Sequence, residues 1–220
     1  MSKDAFWALI QEAKTACGQD LNAMEDYLRE QLVSMGPAAA KNFHDILQTY
    51  EDLADQYGLW DAVSVIKEYG CSDDGFIDFR AWLIAQGKEV YLNALRDPDT
   101  LAEVEPYGDC CFECMSYVGD YAYEQLTGRS AYDEMDLGKM ENLRDELKKD
   151  IVYKDGIQYP REPKDLPRFL PRLCEKYGGP ERFQVTPSTW NFDLHEIRRL
   201  LDEGKVQDMA TKKEKGGGAR

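Results

Sequence analysis

From residue 6 to about residue 126, apolar side chains return at intervals of three and four positions, a spacing that lays them along one face of a helix. Phe6, Leu9, Ile10, Ala13 and Cys17 form the first such stripe, with Ser2 or Asp4 placed to cap it. Leu21, Met24, Leu28, Leu32 and Met35 form a second after Asp20, and Gly36-Pro37 hands it directly to a third, because proline fits the first helical position. Phe43, Ile46, Leu47, Tyr50, Leu53, Ala54 and Tyr57 make the third stripe, and Gly58 is expected to close it in a left-handed cap. Leu59, Ala62, Val63 and Ile66 predict a fourth helix, and Phe76, Phe79, Arg80 and Leu83 a fifth that Gly87 interrupts. Val90, Tyr91, Ala94 and Leu95 continue to Asp97-Pro98, which caps another turn. Cys111, Cys114, Met115, Val118, Ala122 and Leu126 read as a seventh helix ended by Gly128, and Leu137, Met140, Leu147 and Ile151 as an eighth.

After residue 150 the periodicity fades. Asp155-Gly156 between Ile151-Val152-Tyr153 and Ile157-Gln158-Tyr159 reads as a small hairpin. Pro163, Pro167 and Pro171 forbid one continuous helix, so the next is expected only from Pro171 to Tyr177, with a last one over Leu194, Ile197 and Leu201. The expected fold is all-α, an irregular bundle of eight to ten helices with at most one small β-hairpin. Residues 1–178 are expected as a single helical domain, 179–204 as a helical extension packing on it, and 205–220 as a flexible tail.

With 43% hydrophobic and 11% aromatic residues over 220 positions, the chain can bury a large core without covalent staples. The six cysteines are therefore read as reduced thiols, and with no apolar run of membrane length and no basic-then-apolar start the protein is expected to be soluble and cytoplasmic. Its formal charge is −15, unevenly placed: residues 97–150 hold 15 acids against 5 bases, and residues 151–220 hold 11 against 14. Such a field repels phosphate backbones, so no direct nucleic-acid ligand and no membrane are expected, whereas a basic protein partner would be drawn in. The plainer account is that the charge only maintains solubility.

One segment stands out chemically. Ser72, Asp73 and Asp74 sit between Gly70 and Gly75 at a predicted helix start, where free backbone donors meet short polar side chains. Paired carboxylates there could bind a cation or act as acid and base, while the plainer account is a cap in which Ser72 or Asp73 serves the first-turn amides and Arg80 pairs with one aspartate. Trp60 and Trp82 could wall a pocket beside these residues, and His44 could act as an accessory base, although core packing explains all three. The string misses nucleophile-elbow spacing by one residue, and no phosphate loop or helical metal motif occurs, so no cofactor and no metal site are expected. Cys111 and Cys114 have redox or metal-ligand spacing but fall on the apolar stripe, which favours core thiols.

The same residues carry a resemblance. Leu59-Trp60-Asp61-Ala62-Val63, the string Gly70-Cys71-Ser72-Asp73-Asp74-Gly75-Phe76 and the run Phe79-Arg80-Ala81-Trp82-Leu83-Ile84 resemble the bacterial domain-of-unknown-function family 4240. Phe6-Trp7-Ala8-Leu9-Ile10, Asp97-Pro98-Asp99-Thr100-Leu101 and Tyr123-Glu124-Gln125-Leu126-Thr127-Gly128 extend it over about residues 4–178. Where the family tends to carry paired glycines before the cysteine, this chain has Tyr69-Gly70. The resemblance implies no activity and no catalytic residues. Two readings follow: a non-enzymatic acidic binding or accessory module for a basic protein, of which a toxin-neutralising immunity role is one form, or a small enzyme or ligand-binding domain centred on residues 70–80.

Overall fold

The computed structural model describes residues 1–67 and 70–178, which fall within one compact unit. Four helices come first: α1 (Lys3–Cys17), α2 (Leu21–Met35), α3 (Pro37–Leu53) and α4 (Tyr57–Ile66). Ser2 accepts from the Ala5 amide and Asp20 from the Ala23 amide, the two N-caps that the residue types call for. Next come α5 (Asp73–Ala85) and α6 (Lys88–Arg96), broken by Gly87 at φ 96°, then a 3-10 turn at Pro98–Glu103 capped by Asp97. α7 (Glu113–Thr127) ends on left-handed Gly128, and α8 (Leu137–Lys148), α9 (Leu166–Phe169) and α10 (Pro171–Tyr177) follow.

Helices α3 and α7 form the centre of the bundle; α7 also packs on α2 and α5, and α3 on α8. The two central helices cross closely because Gly119 has no side chain: a β-carbon there would stand 2.8 Å from the His44 amide nitrogen. Phe6 and Trp7 of α1, Tyr50 of α3 and Tyr91 of α6 fill the adjoining core, where Trp7 donates to the Tyr50 hydroxyl and Tyr91 to the Tyr50 carbonyl.

Three sequence expectations change. Gly58 does not close α3, which ends at Leu53; it lies inside α4, where its amide donates to the Ile157 carbonyl at 2.6 Å. A β-carbon at Gly58 would meet Ile157 Cγ1 at 2.8 Å, so the glycine is there for close approach and not for handedness.

The hairpin over residues 151–159 does not form. Its backbone groups are spent elsewhere, the Lys154 amide on the Leu95 carbonyl and the Ile157 carbonyl on Gly58, so the segment drapes as turns, and no strand occurs among the described residues. Cys111 and Cys114 are not core: Cys111 precedes α7 and is half-buried, and Cys114 is exposed. The expected last helix over 194–201 and the expected extension and tail lie outside the described residues.

The prolines behave as their chemistry requires: Pro163 and Pro171 each open a short turn or helix, and Pro167 is the second residue of α9, in the first turn where its missing amide breaks no helical bond. Among the described residues no helix is long and apolar enough to cross a membrane.

Candidate functional site

Ser72, with extended backbone angles, caps α5, accepting from the Gly75 amide at 3.1 Å. Asp73 and Asp74 occupy the first turn with exposed side chains, where the helix dipole favours negative charge. Trp60 reaches this corner from α4: its indole donates to the Cys71 carbonyl at 2.9 Å and its ring stacks on Phe76 with centroids 4.8 Å apart. Phe76 begins an aromatic row along α5 that continues through Phe79 to Trp82. Trp82 is thereby buried in the core.

Arg80 lies on another face of α5. Its guanidinium donates to the Glu51 carbonyl at 3.3 Å, stands 3.5 Å from Asp55 and covers the Phe76 ring, so its charge partner is Asp55 and neither Asp73 nor Asp74. His44 is farther off in α3, fully buried, edge-on to Tyr132, and its two ring nitrogens have no hydrogen-bond partner among the described residues. Burial holds its imidazole below the usual value. The structure thus brings Ser72, Asp73, Asp74 and Trp60 to one corner and leaves Arg80, Trp82 and His44 away from it.

What joins that corner comes from the other side of the chain. The Phe112 amide donates to the Asp78 carbonyl at 3.1 Å, pinning the start of α7 to the first turns of α5 and delivering Cys110 and Cys111 beside Cys71. Cys110 holds a left-handed backbone at φ 58°, the one such non-glycine among the described residues, at a cost of about 1–2 kcal/mol. Lys67, the C-cap of α4, reaches in and donates to Cys111 Sγ at 2.9 Å.

Burial pushes the thiols of Cys71 and Cys110 up to about 12 and about 11, against the pull of Lys67. Asp78 is raised as well, first by burial, then by Glu113, with Asp74 and Asp109 adding repulsion and Lys67 opposing it. The corner therefore holds three thiols and the Lys67 ammonium, with Asp78 and Asp109 near enough to act on Cys111. Among the described residues no three Cys, His, Asp or Glu side chains converge as a metal-ligand set.

Local periodicity hides this meeting, because the spacing of Cys111 matches the α7 stripe although the helix starts only at Glu113. The break at Pro106 and Gly108, with Gly108 at φ 62°, is the local signal that the chain turns before α7 starts.

A second polar cluster lies between α3 and α7. Glu51 is buried, accepting from Ser116 Oγ at 2.5 Å and from Gln48 Nε2 at 3.1 Å. Burial raises its carboxyl to about 7, opposed by the Ser116 hydrogen bond and by Arg80. Two open surface depressions, one lined by Arg29, Glu30, Val33, Ser34 and Gln125 and one by residues of α3 and α7 near Lys41 and Arg129, include neither cluster.

A model of the family described as Protein of unknown function (DUF4240) matches residues 1–125. The chain belongs to this family. The DUF4240 match takes in both halves of the thiol corner, α5 with its cap and residues 109–114, as well as Glu51 and Ser116. No curated protein and no solved structure matches the chain.

Proposed function

We propose that this DUF4240 member is a non-enzymatic binding or accessory module whose acidic face receives a basic protein, an immunity-like role being one specific form. The observation that carries this reading is which acids remain after the internal ion pairs are assigned. Asp97, Asp99, Glu103 and Glu105 are met by Lys154, Arg172 and Lys176, and Asp150 by Lys3. Glu113, Glu124, Glu141, Asp145 and Glu146 stay exposed and form no salt bridge among the described residues. Charges so placed cost little to hold in water and attract a cationic surface over about 10 Å at 0.1 M salt.

The alternative, a small enzyme or ligand-binding domain at residues 70–80, has less support. Ser72 is engaged by Gly75, Arg80 by Glu51 and Asp55, and Trp82 by the core.

The test is capture of partners from lysate at low and high salt, with the wild-type chain beside a variant carrying Glu141→Lys, Asp145→Lys and Glu146→Lys. A partner of basic isoelectric point, retained at low salt and lost with the reversed charges, is expected. Capture that ignores both salt and charge reversal, or no capture at all, would remove the reading.

A further inference from the structure

Lys67 and Cys111 are 44 positions apart in sequence and in direct contact, Nζ to Sγ at 2.9 Å. Both side chains are half-buried, open enough for a small solute, whereas Cys71 and Cys110 beside them are 4% and 2% exposed. All six cysteines are free thiols. The most accessible sulfur of the cluster is therefore the one that touches an amine, and its nearest reaction partner after oxidation is that nitrogen.

We propose that Lys67 and Cys111 form an oxidation-responsive modification site in which a peroxide converts the thiol to a sulfenic acid and the Lys67 amine then closes a direct sulfur–nitrogen cross-link. Hydrogen peroxide is the two-electron oxidant. The Cys111 thiolate attacks one peroxide oxygen, the O–O bond breaks, Sγ–OH forms and one water leaves. The lone pair of unprotonated Nζ then attacks Sγ, the S–O bond breaks, and hydroxide departs with an Nζ proton as the second water. One thiol, one amine and one peroxide thus become one sulfenamide and two waters.

Lys67 serves both steps. As an ammonium it opposes the burial that raises the Cys111 thiol, and as an amine it is the nucleophile that traps the sulfenic acid before a second peroxide reaches it. The cross-link ties the end of α4 to the start of α7 and removes the cation that acts on Asp78 and Asp109. It does not depend on the identity of any protein partner.

The experiment treats the folded full-length chain with one equivalent of hydrogen peroxide, then measures intact mass, thiols titrated in denaturant, and cross-linked peptides. The expected result is loss of two hydrogens, five of the six thiols still titrating, a peptide joining Lys67 to Cys111, and recovery of all six with dithiothreitol. Four remaining thiols would mean a disulfide among Cys71, Cys110 and Cys111 and would overturn the proposal. A gain of oxygen on Cys111 with Lys67 unmodified, or an unreacted Cys111, would do the same. Lys67→Arg keeps a cation beside the sulfur but offers no amine, so with one equivalent Cys111 in that variant should gain a single oxygen as sulfenic acid, and with a second equivalent should become sulfinic acid; a two-hydrogen loss persisting in it would also count against the site. The wild-type measurement decides the matter should that variant not fold.

Discussion

Glu51 is a carboxyl whose surroundings prefer it neutral, and that preference has a sign. Its folded-state pKa, about 7, lies above the ordinary value of 4.5, so its contribution to stability is complete below pH 4.5 and is lost as pH rises through 7. Glu51→Gln should therefore match wild type near pH 5 and exceed it near pH 8 by about 2–3 kcal/mol, read from urea unfolding at the two pH values. Equal differences at both would show that Glu51 ionises freely.

Gly119 makes the complementary point about space. An added methyl group has the His44 backbone at 2.8–2.9 Å and nowhere to move, so Gly119→Ala should cost about 1–3 kcal/mol despite its better helix propensity. Thermal unfolding measures this directly.

At the scale of elements, the start of α5 separates a cap from a ligand site. Ser72→Ala removes the bond to the Gly75 amide and should cost about 1 kcal/mol, whereas Asp74→Asn, exposed and unbonded, should change stability by a few tenths at most. Chemical denaturation of both variants checks the pair, and a large loss from Asp74→Asn would assign it a structural bond that the geometry does not show. The elements themselves were largely legible from residue types, from Ser2 and Asp20 as caps to Gly87 and Gly128 as stops, because those signals act within four positions.

What escaped was set by partners far along the chain. The residues at 151–159 have strand-like side chains and a turn dipeptide, yet their backbone groups answer to Leu95 and Gly58. The thiol corner escaped for the same reason, since nothing near Cys111 records that Lys67 and Cys71 will stand beside it. Of the nominated site residues, Ser72, Asp73, Asp74 and Trp60 share a corner, and their adjacency in sequence or across one short connection is why they could be grouped. Arg80 was grouped with them by proximity in sequence alone, and its helix turns it toward α3.

At the scale of the whole molecule, four cations between residues 154 and 176, Lys154, Arg161, Arg172 and Lys176, pair with acids that precede residue 150. Arg161 meets Asp61, Lys154 meets Asp97, and buried Asp99 accepts from the amides of Arg172 and Leu173 and from the Arg172 side chain. Asp99→Ala leaves the buried Leu173 amide unanswered and should cost about 1–3 kcal/mol, measured by urea titration. The stretch that defines family membership stops at residue 125, inside α7, while these clasps arrive only after residue 150. A fragment cut where the likeness ends would hold Asp61 and Asp99 with their counterions deleted and its central helix two residues short. Expressed alone, residues 1–125 should therefore be insoluble or lack a cooperative melt, and supplying the remainder in trans should restore one, because the matched stretch ends before Leu147, Ile157, Leu170 and Leu173 have closed the core.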